Sequence, residues 1–161
     1  MTTALTARNP RCSIARSLEV LGEKWTLLVV REAFFGRTRF AEFRERLGVA
    51  PDVLADRLST LVEAGVFARR AYREVGERER EEYVLTDHGR ALLPVLAAFT
   101  QWGDEYLPTG FGPSAQYALA APGGATVRLA FVDDSGVEVD LDGIVVVRGP
   151  GALGAAEPAR P

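Results

Sequence analysis

The chain has 161 residues but only one cysteine, Cys12, and one histidine, His88. A lone thiol cannot close a disulfide within its own chain, and one Cys with one His cannot furnish a four-ligand zinc site. Neither a metal nor a cofactor is expected. Lysine is nearly missing too: Lys24 stands alone, and every other basic residue is an arginine, whose planar fork suits phosphate and guanine edges. No apolar run approaches the ~20 residues that span a bilayer, and Met1–Pro10 lacks the apolar centre of a signal peptide. A cytoplasmic protein with no membrane partner is therefore expected. There is no Ser/His/Asp set, no glycine loop for phosphate and no acidic cluster on a helix face, so an enzyme is not expected either. Net charge is only −3. Residues 1–107 balance their charges and residues 108–161 are acidic, so any nucleic-acid contact must come from a local basic patch.

What is present is helical periodicity, then alternation. Ile14, Leu18 and Leu21 predict a short amphipathic helix over 13–21, stopped by Gly22. A helix over about 24–35 is apolar on most of its circumference, as befits the buried centre of a domain. Thr38 is placed to cap a third helix over 40–47, with Phe40, Phe43 and Leu47 inward and Gly48 as its stop. Pro51 opens a fourth, in which Leu54, Leu58, Leu61 and Val62 share a face. Residues 66–73 and 82–85 predict an antiparallel hairpin with a long polar tip. One long helix then runs from Thr86 or Asp87 to about Leu107, bent by Pro94. After the turn-rich stretch 108–113 the pattern alternates: strands are expected at 127–132 and 137–142 around the turn 133–136, with further strands at 116–121 and 144–148.

Three short helices, a fourth after a tight turn, then a hairpin is the order of a winged helix-turn-helix. The expected fold is mainly α with a β-hairpin wing, an α+β arrangement, plus a small C-terminal β extension. It divides as an arm over 1–12, the winged domain over 13–107, the β extension over 114–148 and a flexible tail over 149–161. The residues carry a closer likeness. Cys12 before the first helix, Gly22-Glu-Lys24-Trp25-Thr-Leu27-Leu28, Arg31-Glu32, Phe40-Ala-Glu42, Leu54-Ala-Asp-Arg57-Leu58, Glu63-Ala-Gly65, Tyr83-Val-Leu85-Thr86 and Gly89-Arg90 together resemble the HxlR family over about residues 12–107. The resemblance implies a bacterial transcription regulator that dimerises through its first and last helices and binds double-stranded DNA at an inverted repeat. Some members of that family use the cysteine before the first helix as a thiol sensor.

Carried onto this chain, the DNA-binding candidates on the fourth helix are Asp52, Asp56, Arg57, Ser59 and Thr60. Those on the wing are Arg69, Arg70, Arg73, Arg78 and Arg80, and Arg37 and Arg39 stand ahead of the third helix. The dimer face is expected at Ile14, Leu18, Leu92, Leu96, Phe99, Trp102 and Tyr106. Cys12 is the candidate redox sensor, with Arg8, Arg11 and Arg16 nearby; its bland alternative is a small packing residue. His88 reads as exposed and idle, and Trp25 and Trp102 as core or interface anchors. Two departures from the family pattern stand out. Ala50-Pro51-Asp52 replaces the usual hydroxyl residue, proline and lysine, and the wing is about two residues longer, with acids beside its arginines. An acidic fourth helix leaves a second reading open, a winged module that binds a protein or a small ligand with reduced DNA binding. The effector, operator and sign of regulation are not legible.

Overall fold

The computed structural model describes residues 10–73, 76 and 78–150. Residues 1–9 of the expected arm, 151–161 of the expected tail and Glu74, Val75 and Glu77 of the wing lie outside them. The chain divides into two units, one running through Ala91 and one spanning Leu92–Val147.

The first unit holds α1 (Ser13–Leu21), α2 (Lys24–Phe34), α3 (Phe40–Leu47), α4 (Pro51–Glu63), β1 (Phe67–Tyr72), β2 (Arg80–Leu85) and the single turn α5 (Asp87–Arg90). As its apolar circumference requires, α2 is the hub, packing on α1, α3 and α4. Val29, Val30, Phe43, Leu54, Leu58 and Leu61 are sealed from solvent. Phe67 at the base of β1 continues this core, its ring 6.2 Å from Phe43 and 6.5 Å from Tyr83. β1 and β2 pair antiparallel with Phe67 opposite Leu85 and Tyr72 opposite Arg80. The Tyr83 N–H donates to the Thr38 carbonyl at 2.7 Å, so the loop before α3 is tied by a backbone bond to the outer edge of β2. α5 crosses close to the β1 entry, where a Cβ on Gly89 would run into the Val66 carbonyl.

Three expectations need correction here. Thr38 does not cap α3: the N-cap position is Arg39, and Glu42 reaches back to accept from the Thr38 and Arg39 N–H groups at 2.9 and 3.0 Å. A carboxylate one turn into the helix satisfies both donors at once, leaving the Thr38 hydroxyl for Glu82. β2 begins at Arg80, two residues early, because its charged start is matched across the ladder, Arg70 to Glu82 at 2.8 Å and Arg69 to Glu81 at 3.8 Å. The long bent helix is two helices, α5 and then α6 (Leu93–Tyr106). Pro94 sits in the first turn of α6, where its missing N–H costs nothing, and the chain breaks before it instead of kinking at it. The Thr86 expectation stands, its hydroxyl accepting from the Gly89 N–H at 3.0 Å.

In the second unit α6 carries two minimal hairpins, β3 (Tyr117–Ala118) with β4 (Thr126–Val127) and β5 (Phe131–Val132) with β6 (Glu138–Val139). Polar side chains fasten them. Gln101 donates its amide to the Leu129 carbonyl at 3.2 Å and accepts from the Leu129 N–H at 2.8 Å, copying a strand partner. Thr100 shares a hydrogen bond with the Tyr117 hydroxyl at 3.0 Å. The turn over 133–136 is as expected, with Asp133 accepting from the Ser135 and Val137 N–H groups. The strands at 116–121, 127–132 and 137–142 are shorter than alternation suggests, and residues 144–148 form no ladder. Instead a 3-10 turn at Leu141–Gly143 leads off into a segment that pairs with no strand among the described residues. Alternating hydrophobicity marks which residues are able to pair, but a ladder needs a partner edge, and none is offered here.

Candidate nucleic-acid interface

α3 and α4 are joined by a tight turn that begins at Gly48, whose φ of +61° is the left-handed conformation glycine adopts without strain. Pro51 starts α4. Leu54, Leu58 and Leu61 spend its apolar side on the core, which fixes the opposite side outward. That side shows Asp52 and Asp56 exposed, with Ser59 and Thr60 half-buried. The Ser59 hydroxyl donates to Glu63 at 3.1 Å.

Arg57 is held more firmly than its place in sequence suggests. Its side chain is 19% exposed and forks between Asp56 at 2.5 Å and Glu23 at 3.7 Å. Its Nε is buried and meets no hydrogen-bond acceptor among the described residues. Glu23, the residue before α2, was missed by sequence reasoning; thirty-odd residues separate it from Arg57, and no periodicity signals such a pair. In this conformation the outward face of α4 is acidic, and its one arginine is braced against the turn between α1 and α2.

The positive charge lies on the hairpin and the loop before α3. Arg69 and Arg70 carry their cross-strand carboxylates, while Arg73, Arg78 and Arg80 are exposed further along. Arg39 lies over the Tyr72 ring at 4.4 Å, tying the loop to β1, and Arg37 is half-buried beside it. Two carboxyls in this region sit below their ordinary range. Glu82 is lowered first by the Thr38 hydroxyl and then by Arg70; Glu42 is lowered by the N–H groups of Arg39 and Thr38. Both remain anionic at neutral pH and partly offset the neighbouring arginines.

The remaining candidates are placed as follows. Cys12 occupies the N-cap position of α1, half-buried and unpaired, with no cap bond from its side chain. Nearby, Arg16 donates to the Pro10 carbonyl at 2.6 Å and to Ser13 Oγ at 3.1 Å, so its guanidinium is engaged by the segment that carries the thiol. Arg8 lies outside the described residues. Ile14 and Leu18 are exposed on α1. Phe99, Trp102 and Tyr106 are exposed on α6, Leu92 is half-buried, and Leu96 is buried in its own chain, which withdraws it from an outward face. His88 is exposed and Trp25 half-buried. Among the described residues no helix is long and apolar enough to cross a membrane, and no cluster of ligating side chains would hold a metal.

A family model described as HxlR-like helix-turn-helix matches residues 20–111. The chain is 48% identical over 101 residues to Rv3095, an uncharacterised HTH-type transcriptional regulator of Mycobacterium tuberculosis, and the match covers 63% of each chain. It therefore spans less than two thirds of that relative's length. Among solved structures, PA1607, described as a candidate transcription factor, superposes with a TM-score of 0.72 at 38% identity, covering 86% of this chain and 95% of that one. The redox regulator HypR in its reduced form superposes with a TM-score of 0.54 at 28% identity, covering 60% and 95%. HypR is also solved in an oxidised form. The family match stops before the second unit's hairpins, whereas coverage of 86% extends the likeness to PA1607 into them.

Proposed function

Because the chain belongs to the HxlR-like helix-turn-helix family, we propose that it is a cytoplasmic homodimeric transcription regulator that lays α4 in the major groove of an inverted-repeat operator and sets its wing on the flanking phosphates. The family and the relatives named above are regulators, not enzymes. The observation that carries the reading is the division of labour on α4. Its apolar side is consumed by its own unit, and its polar side stands beyond a glycine turn next to a hairpin bearing five arginines. Arg57 reaches a base by exchanging Asp56 for a guanine edge. The pair it gives up involves an exposed carboxylate, and a bidentate guanine contact in its place discriminates by about 1–3 kcal/mol against the wrong base. Asp52 and Asp56 then accept from cytosine amino groups, Ser59 and Thr60 supply hydroxyl contacts, and Arg37, Arg39, Arg69, Arg70, Arg73, Arg78 and Arg80 bind phosphate.

Dimerisation is supported by Ile14 and Leu18 on α1 and by Phe99, Trp102 and Tyr106 on α6, apolar side chains of a size rarely left wet in a monomer. Cys12 is the proposed sensor, by likeness to a regulator solved in reduced and oxidised forms. With no second thiol in the chain, its response is a disulfide between subunits, a mixed disulfide with a small thiol, or an electrophile adduct. The acidic face of α4 supports the second reading, a winged module whose partner is a protein.

A titration of the protein onto its own upstream DNA and onto random duplex, across a salt series, separates these readings. Arg57→Ala should erase about 1–3 kcal/mol of discrimination. Arg78→Ala should weaken both duplexes alike and lower the salt slope by about one unit. An unchanged specificity ratio in Arg57→Ala removes Arg57 from base reading, and no salt-dependent binding to any duplex leaves the protein-binding module. Diamide with glutathione should change operator affinity in the parent and not in Cys12→Ser; equal behaviour of the two makes Cys12 a packing residue.

A further inference from the structure

The second unit leaves two apolar surfaces uncovered. One is a cleft of about 530 Å³ between α6 and the β5–β6 hairpin, walled by Trp102, Tyr106, Leu129, Phe131, Val139 and Leu141. The other is the segment after the 3-10 turn. The Ile144 N–H closes that turn on the Leu141 carbonyl at 3.0 Å, Ile144 itself is extended, and Val145, Val146 and Val147 stand 79%, 101% and 78% exposed. Three consecutive β-branched residues that follow an extended Ile144 and pair with no strand among the described residues have the composition of a strand without a sheet. The hairpin beside the cleft has two residues per strand, too few to stand alone in water.

From these two surfaces we infer that, in the dimer, the Ile144–Val147 segment of each copy seats as a strand in the α6/β5–β6 cleft of the other. The inference rests on the homodimer proposed above and adds a second, reciprocal contact to it. Size decides between occupants. Beyond the α6 aromatics, the cleft walls and the valine run expose several hundred Å² per copy, which added to the α1–α6 contact reaches the roughly 800 Å² per partner of a standard stable interface. A small ligand filling the cleft covers its walls and leaves the valines wet, whereas a reciprocal strand covers both. Exchange of the same segment between two copies is also the isologous arrangement a two-fold axis produces, with backbone pairing giving affinity and side-chain pockets giving register.

Trp102 in the cleft wall reports on occupancy. In a Trp25→Phe background of the full chain it is the only tryptophan. Its acrylamide quenching constant should fall at least twofold as sedimentation shows monomer giving way to dimer. Val146→Asp should raise the dimer dissociation constant at least tenfold and abolish that protection, while Val146→Ile keeps both. Val146 is fully exposed in the isolated chain, so the dilute Val146→Asp protein should retain the parent's circular dichroism and urea midpoint. A Val146→Asp protein that dimerises and shields Trp102 like the parent overturns the exchange and spares the homodimer. A parent that stays monomeric overturns both. Stoichiometric binding of 1-anilinonaphthalene-8-sulfonate by the parent dimer, with quenched Trp102 emission, shows the cleft open to a small molecule and overturns the exchange as well.

Discussion

The two units bury their apolar residues by different means. In the first, four helices cross and eight large or β-branched side chains, Phe67 of β1 among them, reach complete burial; in the second, Leu96 and Ala97 are the buried hydrophobic residues among those described, and neither is fully sealed. The second unit holds its hairpins by Gln101 and Thr100, side-chain bonds that fix geometry but contribute only about 1 kcal/mol each once water is counted. A unit of that kind is ordered enough to present a surface and too thin to be dry. The first unit completes its own core, whereas the second leaves most of its large apolar side chains exposed.

The largest expected effect tests this contrast directly. Leu58→Ala, at a fully sealed position, should cost about 2–5 kcal/mol in urea unfolding of the dilute protein. Phe131→Ala, at a side chain already 56% exposed, should cost less than about 1 kcal/mol under the same conditions. Comparable losses at both sites would break the contrast and give the second unit a core of its own. A smaller effect of opposite sign sharpens it. Thr26 on α2 is completely buried, and its hydroxyl has no hydrogen-bond partner among the described residues. Thr26→Val keeps the branched shape and removes the stranded hydroxyl, so it should stabilise by about 1 kcal/mol. Destabilisation would mean that the hydroxyl has an acceptor, such as an internal water, and that this core is less dry than its burial implies.

Sequence periodicity located the first unit because its helices bury one face each, and that is what spacing records. The bounds of α1 and α3 come directly from the Ile14, Leu18, Leu21 and Phe40, Phe43, Leu47 series, and the glycine after each. What periodicity cannot carry is the choice among polar partners. Thr38 and Glu42 both qualify as caps for α3, and the geometry of the β2 approach, which draws the Thr38 hydroxyl to Glu82, decides in favour of Glu42. The Arg57–Glu23 brace is hidden for a similar reason, since it joins the start of α2 to the middle of α4, far apart in sequence. In the second unit alternation located the turn between β5 and β6 but overstated strand length, and Val145–Val147 pairs with no strand among the described residues.

The smallest effect concerns that cap, where the first unit's folding meets its charged loop. Glu42 accepts from two backbone N–H groups, which hold its carboxyl below the ordinary 4.5. A carboxyl lowered by folding adds stability that is complete above its unfolded value and is lost as pH falls through the folded one. The contribution is thus full at neutral pH and fades in acid, below about 4.5. Glu42→Gln keeps an acceptor oxygen and loses the charge, so at pH 7 it should cost somewhat less than the ~1 kcal/mol of a whole cap, since Glu42 is only half-buried and water screens it. Near pH 3 the two proteins should approach each other in stability. A shallower acid slope in the variant should remain rather than a flat line, because Glu82, lowered by the Thr38 hydroxyl and by Arg70, also takes up its proton in acid and loses its contribution there. The measurement is the urea midpoint of parent and variant from pH 7 to pH 2.5. If the gap between them stays constant with pH, the Glu42 charge contributes nothing, and α3 is held at its start by neutral hydrogen bonding alone.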